Sequence, residues 1–326
     1  MSTASENTFK LLQLLHLRGV GPAKLGKLAF TPSFRDATVQ QLAELILKKP
    51  ASELMANILS AREFAEKQIL AAEKSSAKIL SILDFDFPKL LKNTFDAPLI
   101  IYVIGKFHSK PEKSISIIGT RQPTQHGVIV GERITEVFSR NGWSVVSGLA
   151  LGCDALAHRT ALAAGGHTVA VLAHGLQTVA PKQHSKLASQ IVDEGGALVT
   201  EYGFGIFPMP YQYVKRDRIQ AGLSRGVVMI QSDVTGGSLH ASRAAIEYGR
   251  VLAVPKPTRL DSTNLEPKCS ANEILCGTDE GKKSQLLKCP PSQVRLVFSI
   301  NSKEDYPALI ERVTNNLEPD HLEPIS

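Results

Sequence analysis

Ser114-Ile-Ser-Ile-Ile-Gly-Thr-Arg121 opens the most regular part of this 326-residue chain. The regularity continues through Ser147-Gly-Leu-Ala-Leu-Gly-Cys-Asp154 and Lys215-Arg-Asp-Arg-Ile-Gln-Ala-Gly-Leu-Ser224, and closes with Thr235-Gly-Gly-Ser-Leu239. Short apolar runs each end in Gly, Ser or Thr and give way to helical periodicity. Strands are predicted at 115–118, 144–147, 168–172, 197–200, 227–230 and 251–254. Helices are predicted between them at 128–141, 154–164, 185–194, 218–224 and 238–248. Short, wholly apolar strands alternating with helices imply an α/β, Rossmann-like fold: a mostly parallel sheet covered on both faces. Ligands of such sheets sit beyond the carboxyl ends of the strands.

Outward from this core the pattern changes. Residues 9–70 read as helices, with Leu11, Leu12, Leu14 and Leu15 leading into Arg18-Gly-Val-Gly-Pro-Ala-Lys-Leu25. Leu54, Ile58, Ala61, Phe64 and Ala65 form one stripe of a later helix. Pro88 ends a turn-rich joint at 84–88, because proline restricts the residue before it. A strand is predicted at 99–104. After Pro255 the periodicity weakens, leaving one strand at 294–298 and one helix at 306–315. The predicted organisation is a helical N-terminal domain over 1–75, a Rossmann-like domain over 76–280 with its core at 111–280, and a short extension over 281–326.

Composition narrows the function. The formal net charge is +6, which points to an anionic partner if the basic residues converge on one face. No run is apolar enough for a signal peptide or a membrane span. The four cysteines form no CxxC pair and share no ligand spacing with histidine, so neither a metal site nor a disulfide framework is expected. A reduced, cytoplasmic protein without cofactor is the simplest expectation.

The turns carry the chemistry. Gly119-Thr-Arg-Gln-Pro-Thr-Gln-His-Gly127 is not GxGxxG, and no acid follows the second core strand to hold a ribose, so dinucleotide binding is disfavoured. Arg121 beyond a strand end suits a phosphate, whose oxygens match its fork of donors; the lesser alternative is pairing with a local carboxylate. Ser147, Gly148 and Gly152 could let an anion approach a helix start, or simply permit a tight turn. Asp154 and His158 share a helical face, as an acid–base pair or as a cap plus a structural hydrogen bond. Lys215, Arg216 and Arg218, with Arg225 nearby, follow a loop containing Tyr211 and Tyr213. Cations mixed with aromatics suit a single strand of nucleic acid, although charge runs are commonly solvated faces. Gly236, Gly237 and Ser238 open a helix and could seat a phosphate. Gly19, Gly21 and Lys24 resemble a helix-hairpin-helix turn that offers amides to a DNA backbone.

Taken in order, these motifs resemble the DprA/Smf family (DNA-processing protein A). The family's GSR.PT.YG turn is similar to 119–127, its SGLA.GID..AH segment to 147–158, its RRNRIIAGLS run to 215–224, and its SGSL.TA turn to 236–241. The resemblance implies single-stranded DNA binding in a basic pocket, homodimers, delivery of the recombinase RecA during natural transformation, and no catalysis. It implies DNA contacts from Arg121, Lys215, Arg216 and Arg218, with Ser147, Gly148, Gly236, Gly237 and Ser238 lining the pocket. Asp217 stands where the family usually carries Asn, which lowers the local charge. A winged-helix C-terminal domain, present in many members, is not evident. Alternatives are an antitoxin or regulatory partner of a co-encoded toxin in phage defence, and a nucleotide hydrolase. The hydrolase pattern PGGxGTxxE is not met, since Glu247 lies too far from Gly237.

Overall fold

A computed structural model describes residues 3–316 of the chain. The N-terminal region folds as α1 (Glu6–His16), α2 (Pro22–Ala29), α3 (Pro32–Asp36), α4 (Val39–Leu47) and α5 (Ala51–Lys74). Local chemistry starts these helices. Ser5 accepts from the Thr8 amide at the head of α1, and Thr38 and Gln41 form a capping box at the head of α4. Asp84, in the turn-rich joint, accepts from the Ser5 and Thr8 hydroxyls, which fastens α1 to the sheet.

Next come β1 (Ala77–Ser81), α6 (Lys89–Lys92), β2 (Ile100–Gly105), β3 (Ser114–Ile118), α7 (Gln125–Arg140), β4 (Ser144–Ser147) and α8 (Cys153–Ala163). They are followed by β5 (Thr168–Val171), α9 (Ser185–Asp193), β6 (Ala197–Thr200), α10 (Pro210–Gly222), β7 (Gly226–Met229), α11 (Ser238–Glu247) and β8 (Val251–Pro255). The chain finishes with α12 (Arg259–Thr263), α13 (Ser270–Cys276), α14 (Glu280–Leu287), β9 (Val297–Ile300) and α15 (Tyr306–Asn315). One sheet joins the strands in the order β1-β2-β6-β5-β4-β3-β7-β8-β9. The pairs from β6 to β9 are parallel, whereas β1–β2 and β2–β6 are antiparallel. Every residue of β3 to β8 is buried, as expected for strands covered on both faces.

The core strands fall within a residue or two of their predicted positions. Three features differ. β1 was not predicted: its Lys78 interrupts the apolar run, and pairing with β2 holds it in the sheet. Helix α10 begins at Pro210, eight residues before the predicted start at 218. Proline at the first helical position needs no amide partner and fixes a helical φ, so the aromatic loop becomes a first turn. The segment from 281, predicted as a short extension with one strand and one helix, contributes β9 as a parallel partner of β8. Leu309 and Val313 of α15 pack into the cluster built on Ile115, Phe138 and Trp143, so these residues complete the sheet domain. Residues 317–326 of that extension lie outside the described residues. The helical region shares a core with the sheet: one cluster runs from Leu11 through Phe34, Ile79 and Val171 to Leu223.

Candidate functional site

Topology fixes where a ligand can sit. From β3 the chain steps to β4, β5 and β6 on one side, then crosses back to β7 on the other side of β3. Loops leaving adjacent strands diverge at such a reversal and open a crevice at the carboxyl ends. A cleft of about 560 Å³ lies there, between the residues following β3 and those following β7, with α10 as a third wall.

One lip is suited to an anion. Gly236, Gly237 and Ser238 line the cleft where α11 begins, and a Cβ on Gly237 would meet nothing within 4 Å, so this backbone is open to a ligand. Ser238 Oγ donates to Ser232 Oγ at 2.8 Å, which fixes the turn. Across the cleft Arg121 is exposed, with its guanidinium 5.9 Å from the ring centroid of Tyr213. Beside it Val214 is exposed on the cleft, while Phe207, Met209 and Tyr211, exposed just before and in the first turn of α10, are not among the residues lining it.

The floor is different. Arg216 is 3% exposed and reaches inward from α10. It donates to the carbonyl of Gly148 at 2.7 Å and to the carbonyl of Val171, which ties α10 to the ends of β4 and β5. Its Nε lies 3.2 Å from Asp217 Oδ1. Asp154, in the first turn of α8, accepts from the amides of Gly148 at 3.2 Å and Ala150 at 3.3 Å. A Cβ on Gly148 would come within 2.2 Å of Arg216 and 2.6 Å of Asp154, so glycine is required for these charges to close on the turn. Burial raises both carboxyls: that of Asp154 above its usual range, against the pull of Arg216, and that of Asp217 to about 7.

This arrangement redistributes the predicted contacts. Arg121, Gly236, Gly237 and Ser238 come together on the cleft. Ser147 and Gly148 are absent from its lining: the Ser147 hydroxyl donates to the Ile117 carbonyl at 2.6 Å, and the Gly148 amide is taken by Asp154. The anion predicted for this turn is thus supplied by the protein itself. The basic run divides around α10, because residues three or four apart share a face and neighbours do not. Tyr213, Arg216, Asp217 and Gln220 face the cleft. Lys215 and Arg218 face Glu201, with Arg218 Nη2 at 2.6 Å and Lys215 Nζ at 3.9 Å from Glu201 Oε2. Arg218 is also 3.5 Å from Asp96. Arg216 is therefore an internal clamp rather than a surface cation, and Arg218 is largely neutralised. Arg225 sits before β7, at the opposite end of the sheet, and donates to the carbonyls of Glu112 and Thr314.

Asp154 and His158 do not act as a pair. His158 is buried, engages Thr168 Oγ1 at 2.7 Å, and is held neutral, with burial lowering its pKa to about 3. In the helical hairpin, Gly19 takes a φ of +91° and Gly21 caps α2, while Lys24 donates to the Ile46 carbonyl at 2.7 Å. None of the residues lining the cleft precedes Ile118. Gln220, 2% exposed on the cleft wall, is not among the sequence-predicted contacts; its signal is the three-residue spacing from Asp217 along α10.

Comparison with known proteins places this geometry. The family model for DNA recombination-mediator protein A matches residues 78–273, more than half of the chain. Protein Smf of Escherichia coli (strain K12) is 31% identical over 254 residues, covering 78% of this chain and 67% of that protein. DNA processing protein DprA of Bacillus subtilis (strain 168) is 35% identical over 192 residues, covering 58% of this chain and 64% of that protein. Protein Smf of Synechocystis is 33% identical over 204 residues, covering 61% of this chain and only 50% of that protein. The solved DprA of Streptococcus pneumoniae shares the fold, with a TM-score of 0.64 at 23% identity over 83% of this chain and 98% of that one. DprA of Helicobacter pylori, described with its own single-stranded DNA binding mode, gives a TM-score of 0.57 at 24% identity over 72% of this chain and 96% of that one. The parallel sheet reversing at β3, the glycine turn before α11 and the match over 78–273 together make this chain a member of the DNA recombination-mediator protein A family, the DprA/Smf proteins.

Proposed function

We propose that the chain is a non-enzymatic single-stranded DNA-binding protein of DNA processing, and that the strand lies in the cleft at the reversal between β3 and β7. The observation that carries this reading is the opposition of Arg121, beside Tyr213, to the open Gly236-Gly237-Ser238 turn across the cleft. Free amides at the start of α11 and a bidentate guanidinium suit phosphate oxygens. Tyr213 on the cleft suits the flat face of an unpaired base, and Phe207 and Tyr211 lie exposed just before and in the first turn of α10. Duplex bases are stacked and paired, and so offer no such face. The described binding mode of the Helicobacter pylori relative supports the same reading. Homodimers and a protein partner, either RecA or a co-encoded toxin, are implied by family resemblance alone.

The test is fluorescence anisotropy with a labelled oligothymidine across a salt series. Arg121→Ala should weaken binding about tenfold and lower the salt slope by about one, since one phosphate contact releases about one counterion. Unchanged affinity and slope in that variant would remove the cleft from the DNA path.

A further inference from the structure

The floor of this cleft carries more acid than an anion site needs. Asp154 on α8 and Asp217 on α10 both draw on one buried guanidinium, that of Arg216. Asp154 is buried and already accepts from two amides. Asp217 is the more open of the two: it lines the cleft, with its side chain 14% exposed. Its neighbours approach through a single oxygen. Gln220 Nε2 donates to Oδ1 at 2.9 Å, and Arg216 Nε lies 3.2 Å from the same atom. Among the described residues nothing donates to Oδ2, which leaves that oxygen as the place for a proton. Burial favours the proton there, raising this carboxyl to about 7 with help from Asp154 and against the pull of Arg216. The same cleft holds Arg121 and the open turn at 236–238.

Resting on the reading that single-stranded DNA occupies this cleft, we propose that Asp217 is a phosphate contact in its carboxylic-acid form: Oδ2–H donates to a phosphate oxygen, and the protein takes up a proton from solvent as the strand binds. An O–H donated to an anionic oxygen makes a short, strong hydrogen bond. An ionised Asp217 would repel the phosphate and offer it no donor. The strand therefore favours the acid and the acid favours the strand, in equal measure. The other charged or titratable groups on the cleft are Arg121, Asp154, Tyr213, Arg216, Asp233 and His240. Burial, with Arg243 and Lys288, lowers His240 below the ordinary 6.5, so its charge appears at lower pH than that of Asp217 is lost. On the Arg216 side His158 and His174 are held towards neutrality by burial. Helix α6, packed on Gly222 through Leu91, brings Lys89 and Lys92, and β5 brings no charge. Lys215 and Arg218, on the opposite face of α10, meet Glu201.

The experiment measures anisotropy with a labelled oligothymidine across a pH series at fixed salt. Wild-type affinity should rise about tenfold from about pH 8.5 to about pH 6, mostly between about pH 8 and pH 7. Asp217→Asn leaves its oxygen on the Gln220 and Arg216 donors and offers its N–H₂ to the phosphate at every pH. It should vary less than about twofold over the series and match the tight, low-pH wild type. Asp217→Ala, with neither charge nor donor, should be equally flat but about fivefold weaker than Asp217→Asn, the size of one hydrogen bond. His240→Gln should keep the rise. Calorimetry at about pH 7.5, in two buffers of different ionisation enthalpy, should show the wild type taking up roughly half a proton on binding, and needs no variant. A wild type that binds equally at every pH, with no proton taken up, overturns the contact and leaves the DNA-binding reading intact. A rise that survives in Asp217→Asn, or Asp217→Ala binding as tightly as Asp217→Asn, overturns it as well. No binding at any pH overturns both readings.

Discussion

Arg216 Nη1 donates to the Gly148 carbonyl at 2.7 Å, joining the middle of α10 to the end of β4. The same guanidinium reaches the Val171 carbonyl and lies beside Asp217. Arg216→Ala should therefore act on stability first. Removing one partner of a buried charged network costs about 3–5 kcal/mol, which urea unfolding would register. Any loss of DNA affinity in that variant would follow the loss of fold, and a variant as stable as the wild type would show that the clamp contributes nothing.

Gly148→Ala tests the same contact from the other side. The new methyl group would push Arg216 and Asp154 off the turn. Overpacking of this kind costs about 1–3 kcal/mol, seen as a Tm lowered by several degrees. An unchanged Tm would show that the turn can open without cost.

Gly237→Asp separates binding from folding. Nothing surrounds this position, and its backbone is helical at φ −58°, so a side chain fits. The added carboxylate would occupy the phosphate seat. Tm should stay within a degree or two, while oligothymidine affinity falls at least about tenfold, the size of one charge-assisted contact. Retained affinity would place the phosphates elsewhere.

Lys215 and Arg218 should matter less to DNA than Arg121. Both already face Glu201, a largely buried carboxylate held above its usual range by burial. Arg218→Ala should cost about 1.5–3 kcal/mol of stability through the lost charged hydrogen bond, with a smaller effect on affinity than Arg121→Ala. The reverse order, in matched anisotropy and unfolding measurements, would return these cations to the DNA path.

Asp217 also predicts a pH dependence. Its folded pKa, about 7, lies above the ordinary value of 3.8, because burial outweighs the pull of Arg216. The folded state therefore holds a proton that the unfolded state has released. The stabilisation from Asp217 is complete below about pH 4 and is lost as pH rises through about 7. His158 acts oppositely: held near 3 in the fold, it costs stability as pH falls below about 6.5. Comparing Asp217→Asn with wild type isolates the first effect. The variant should gain relative stability between pH 5 and pH 8 in denaturant titrations, and a constant difference across that range would contradict the assignment.

The sheet was legible in the sequence because its strands are continuous apolar runs closed by small residues, as in 144–147 and 197–200. The anion-seating turn at 236–238 was legible for the same reason, since two glycines before a helix leave little else to read. Lys215-Arg-Asp-Arg218 was not legible as to role. A helical face depends on register, and register here depends on Pro210 starting the helix early. That start turns Arg216 inward and Lys215 outward. Nor could spacing reveal that Asp154 would fold back onto Gly148 and Ala150 and take the amides offered to a ligand. Long-range partners such as Ile46 for Lys24 follow from tertiary contact alone.

The cluster that runs from Leu11 to Leu223 makes the helical region and half of the sheet a single cooperative unit. Such a unit exchanges its slowest amides by global opening, so protection in α1 and in β5 should decay with one common free energy. A strand of DNA held at the far reversal of the sheet would then slow hydrogen exchange in α1, with no contact to it at all.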